Sequence, residues 1–170
     1  MKALKAALRK DALWLRFTAI IKSASPPEFI GYPEELMQLH RTRGVRVLGL
    51  RAMPTGKKIA DAALRDQAVR SRCVEISMSV IHQRNFLVSS IETISAYLIA
   101  NFDLSSIARS VTDRKAVVSS LVSDAQKKID DMNSIIELAN LVINDVDKAS
   151  WALKSTVEAL SIATARERTL

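Results

Sequence analysis

From about residue 57 to the C-terminus, apolar residues recur at helical spacing, and neither glycine nor proline interrupts them. Stepping by seven from Val118 gives Val118, Ala125, Met132, Ala139, Val146, Leu153 and Leu160, all apolar. The companion series Val122, Ile129, Ile136, Ile143, Ser150, Val157 and Thr164 is apolar at five of seven positions. Such a repeat lines two columns of side chains along the seam of a helix packed on another helix. Leu121, Ile135 and Val142 widen the stripe, which favours a bundle over a strict two-stranded zipper. Upstream, Ile59, Ala62, Val69, Cys73, Ile76, Val80, Leu87, Ile91, Ile94 and Leu98 form a matching face, and the two stretches are predicted to pair as an antiparallel hairpin.

The breakers sharpen this reading. All four prolines and all four glycines lie between residues 26 and 56. Tight turns between strands draw on the backbone angles those residues supply, whereas helices need neither. Three regions follow: a basic amphipathic helix over 1–24, stopped by Ser25-Pro26-Pro27; an irregular connector over 25–56; and a long-helix hairpin or bundle over 57–170. Within the connector a short helix is expected at Pro33–Arg43 and a brief extended piece at Val45–Leu50. Breaks inside the last region must come from polar caps. Asn101–Ser106 is the first choice, Thr112-Asp113 the second and Asn144–Asp147 a softer third, giving helices of about 57–100 and 104–167. The fold class is therefore all-α, with a coiled-coil-like seam.

Composition adds two constraints. Aromatic residues make up 5% of the chain, so Leu, Ile, Val and Ala must fill the core, which suits helices better than a sheet sandwich. Cys73 is the one cysteine; with no intrachain disulfide to form, an intracellular and mainly cytoplasmic setting is expected, with organelle import or a virion as alternatives. The most apolar window, Phe86–Phe102, is short for a membrane span and carries Glu92.

Charge divides the chain. Residues 1–72 hold 15 Lys/Arg against 6 Asp/Glu, and residues 73–170 hold 10 against 12. A basic end of this kind suits an acidic partner: nucleic acid, an anionic membrane surface, or acidic protein. On one helix over 1–24, Lys2, Lys5, Arg9 and Arg16 fall in a single stripe, with Leu4, Leu8 and Leu15 on another side. A second cluster comprises Arg41, Arg43, Arg46, Arg51, Lys57 and Lys58, and Lys58, Arg65 and Arg72 recur every seven residues. These twelve cations are the candidate polyanion contacts; ordinary solvated faces are the alternative.

Signatures of chemistry are missing from the sequence. His40 and His82 belong to no HExxH or Glu-x-x-His pair. Gly49–Lys58 resembles a phosphate loop, but its glycines are too widely spaced and Lys58 stands where Ser or Thr would hold magnesium. No catalytic residue, cofactor or metal is inferred. The expected function is a non-enzymatic, self-associating helical subunit of a larger assembly. A nucleic-acid-binding helical protein and a membrane-surface bundle are the alternatives.

Overall fold

The computed structural model describes residues 2–44, 55–102, 104, 108 and 110–167, with the side chains of 2, 3, 160 and 163–167 outside that description. The described helices are α1 (Lys2–Leu8), α2 (Ala12–Ser23), α3 (Pro27–Arg41), α4 (Gly56–Asn101), α5 (Val111–Leu121) and α6 (Ser123–Glu167). There is no strand among the described residues. The long helices α4 and α6 pack on one another, as the paired apolar faces require, and the protein is an all-α helical hairpin bundle. The chain divides into two compact units, 1–31 with 78–136 and 32–77 with 137–170.

The first unit buries Leu4, Leu8 and Phe17 from the N-terminal helices and Val80, Leu87, Ile94 and Leu98 from α4. Val118, Val122, Ala125, Ile129, Met132 and Ile136 belong to the same core. The single helix expected over 1–24 is in fact two. Asp11 takes an extended backbone conformation, and its side chain accepts from the Trp14 N–H at 2.8 Å, making it the N-cap of α2. Tyr97 on α4 donates its hydroxyl to the other carboxylate oxygen of Asp11 at 2.7 Å, tying that cap to the bundle. The carboxyl is held below its usual range, chiefly by the Tyr97 hydrogen bond and then by the Trp14 amide.

Helix ends elsewhere follow capping chemistry. α4 stops at Asn101, within the first-choice break, and the next described helix starts at Val111 rather than near 104. Ser110 and Asp113 form a reciprocal capping box there: the Asp113 N–H donates to Ser110 Oγ at 3.0 Å, and the Ser110 N–H donates to Asp113 Oδ2 at 3.3 Å. A further break falls at Val122, while Asn144–Asp147 lies inside a continuous helix. The connector is also more regular than expected, since helix α3 begins at Pro27 rather than Pro33. A proline in the first turn costs no hydrogen bond, because that amide would be unpaired anyway, and Glu28 suits the positive end of the helix. The expected extended piece Val45–Leu50 lies outside the described residues.

The second unit buries Leu36 of α3, Ala62, Val69, Cys73 and Ile76 of α4, and Ala139, Val142 and Val146 of α6. No described helix is long and apolar enough to cross a membrane.

Candidate interaction surfaces

The α4 seam in the second unit runs through Ala62, Val69, Cys73 and Ile76, and Asp66 occupies the place between the first two. Asp66 is 1% exposed. Its Oδ1 accepts the Gly44 N–H at 2.7 Å, while Oδ2 has no hydrogen-bond partner among the described residues. Gly44 itself approaches α4 closely. A Cβ there would overlap the Ala62 carbonyl oxygen and lie 2.6 Å from Ala62 Cα, so only glycine fits.

The neighbouring Arg43 is 5% exposed. Its NH1 lies 2.8 Å from Asp145 Oδ2, an ion contact without hydrogen-bond alignment, and its Nε is buried without a hydrogen-bond partner among the described residues. His40 Nε2 sits on the same Asp145 oxygen at 2.8 Å. Arg43, expected as a polyanion contact, is thus committed inside the fold, where removing its carboxylate would leave a buried charge.

Arg72 is likewise engaged. It grips Glu35 with Nε at 2.6 Å and NH2 at 3.2 Å, and reaches Glu75 with NH1 at 3.2 Å. The hydrogen bond to Glu35 is the chief reason its guanidinium is held still more firmly in the charged form. The column Lys58, Arg65, Arg72 therefore keeps two members without an ion pair among the described residues. Arg70 pairs with Asp147 at 2.8 Å, the main cause of its own raised pKa.

Of the remaining candidate cations, Lys5, Arg9 and Arg16 are exposed in the first unit. Arg41, Lys57, Lys58 and Arg65 are exposed in the second. None of these seven makes an ion pair among the described residues. The cap at Asp11 removes the single helical stripe that Lys5, Arg9 and Arg16 were expected to share. Arg46, Arg51 and the Lys2 side chain lie outside the described residues.

The seam is buried at Val118 of α5, at Val122 in the break, and at Ala125, Ile129, Met132, Ile136, Ala139 and Val146 of α6, and is half-buried at Ile143. Beyond Val146 no described side chain of α6 is buried. Leu153 is half-buried, Val157 is exposed, and the Leu160 side chain lies outside the described residues. Trp151 is 76% exposed and Ile162 is exposed on the same stretch. Within the same unit an open groove of about 480 Å³ is lined by Met37 and His40 of α3 and by Leu138, Leu141, Val142 and Lys148 of α6.

Cys73 is fully buried, and desolvation pushes its thiol up to about 11. Among the described residues no group of three His, Cys, Asp or Glu side chains could hold a metal ion. Comparison with protein-family models, curated proteins and solved structures finds no match to this chain.

Proposed function

We propose that the protein is a self-associating helical subunit of a larger assembly, and that copies meet through the C-terminal section of α6. The observation carrying this reading is that the helix outlasts its cover. Among the described side chains Val146 is the last buried residue of the seam, yet α6 continues to Glu167, a further length of about 30 Å. A lone helix of that length is marginal in water and gains most of its stability from packing. Each square ångström of apolar surface left wet there forgoes roughly 25 cal/mol.

A second copy suits this surface. Residues 147–167 carry three Lys/Arg and three Asp/Glu, so two such segments meet without net repulsion. A two-fold pairing would use the same patch on both chains and close on itself. Size-exclusion chromatography with light scattering tests the proposal: the full chain forms a defined oligomer, and the double variant Leu153→Glu, Val157→Glu does not. A monomeric parent protein at tens of micromolar would refute it.

A second reading rests on the seven exposed cations that make no ion pair among the described residues, which suit phosphate contacts. It predicts binding to generic duplex or single-stranded nucleic acid with little sequence preference, the logarithm of affinity falling with log salt by about 0.7–0.9 per phosphate engaged. Absence of binding at low salt would exclude it.

A further inference from the structure

Helices α2 and α4 in the first unit leave a groove of about 260 Å³ between them. Part of its lining is apolar, with Phe17 and Ile20 from α2 and Phe86 and Ile94 from α4. Phe17 and Ile94 are buried, whereas Leu13 and Phe86 stand half out of the rim. The only charged residue lining it is Arg16, which is exposed and makes no ion pair among the described residues.

The hydroxyl wall is largely spent. Ser90 donates to the Phe86 carbonyl at 2.8 Å, Thr93 donates to the Ser89 carbonyl at 2.9 Å, and Tyr97 donates to Asp11. The Asp11 carboxylate behind Tyr97 makes that end unfavourable for an anion. Arg16 draws one to the rim instead.

From this arrangement we infer that the groove binds a free single-chain anionic amphiphile, an alkyl carboxylate whose tail lies along Phe17, Ile20, Phe86 and Ile94. Arg16 holds its headgroup. The occupant is set by size and charge together. At about 30 Å³ for a water, and much the same for a methylene, the space accepts roughly nine such groups. The unpaired guanidinium complements a carboxylate at the mouth, as an exposed charge-assisted pair.

The experiment uses the full chain with Trp151→Phe, which leaves Trp14 as the sole tryptophan. The Trp14 ring lies 5.6 Å from that of Phe17, so its fluorescence reports on the groove. Titration with alkyl carboxylates of six to fourteen carbons, below their micelle thresholds, is expected to saturate at one site. Affinity should rise about fourfold per methylene and level off near ten carbons. Arg16→Gln should weaken decanoate roughly threefold to fivefold and leave decan-1-ol unchanged. Ser89→Phe, at an exposed lining position, should block both ligands without altering the circular dichroism. Affinity climbing unabated to fourteen carbons would overturn the inference. So would an Arg16→Gln variant indistinguishable from its parent, binding retained by a folded Ser89→Phe, or a response to anionic vesicles alone, which would place α2 on a bilayer surface instead.

Discussion

The Gly44 amide donates a 2.7 Å hydrogen bond to the carboxylate of Asp66, a charged residue buried in the apolar seam of α4. The contact fixes the end of the α3 segment against the long helix, and it exists only because position 44 has no Cβ to strike Ala62. A buried polar residue in a seam costs stability, and in coiled coils a single one can specify the register.

Two substitutions at this contact separate sterics from hydrogen bonding. Gly44→Ala must displace the Ala62 backbone and is expected to cost about 1–3 kcal/mol, as overpacking does. Asp66→Ala leaves the Gly44 amide buried and unpaired, with a loss of about 1–3 kcal/mol. Asp66→Asn keeps an acceptor and should lose less than Asp66→Ala. Urea unfolding measures all three, and equal stability of the alanine and asparagine variants would deny the hydrogen bond its role.

The cap at Asp11 gives a pH signature. Its folded pKa lies below the usual 3.8 because Tyr97 and the Trp14 amide bond the ionised form. The stabilisation is therefore fully present above about pH 4 and is lost as pH falls through the folded pKa. The melting-temperature gap between the parent protein and Asp11→Ala should be open at pH 7 and narrow below pH 4. A gap independent of pH would show that the ionised carboxylate contributes nothing.

Cys73 behaves in the opposite sense. Its thiol is shifted from 9.0 up to about 11, so the unfolded chain releases its proton first as pH rises. The contribution to stability is intact below pH 9 and declines between pH 9 and 11. Native protein at pH 8 should react with a thiol reagent far more slowly than urea-unfolded protein. Comparable rates would mean the side chain is open to solvent.

The bond between Arg72 and Glu35 bridges α4 and α3 in the second unit. Both side chains are partly solvated, so a double-mutant cycle with Arg72→Met and Glu35→Gln should give a coupling of about 1 kcal/mol or less, shrinking with added salt. A coupling of several kcal/mol that ignores salt would require a much drier site.

Much of the fold was legible because helical periodicity is a property of the chain itself. The seam from Val118 to Val146 and the face from Ala62 to Leu98 are buried at most of the positions their spacing picks out, with Ile91 and Ile143 half-buried. The N-terminal break was not, because Asp11 fits an amphipathic pattern as well as a cap, and its choice depends on Tyr97, far away in sequence. The same limit applies to the cations. Arg43 and Arg72 look like their neighbours in sequence, and only the fold brings them to Asp145 and Glu35. Asp66 did leave a trace, an acid at the one place where the spacing of Ala62, Val69, Cys73 and Ile76 calls for an apolar residue. The start of α3 at Pro27 could have been read from a proline followed by Glu28. The groove beside Arg16 left none, since it depends on how α2 lies on α4.

Sedimentation equilibrium of the full chain beside its Leu153→Glu, Val157→Glu variant, over a hundredfold range of concentration, tests the central claim most directly. The proposal predicts a defined oligomer for the parent and a folded monomer of unchanged helicity for the variant. A parent that stays monomeric throughout, or a variant that associates as well as its parent, would contradict it.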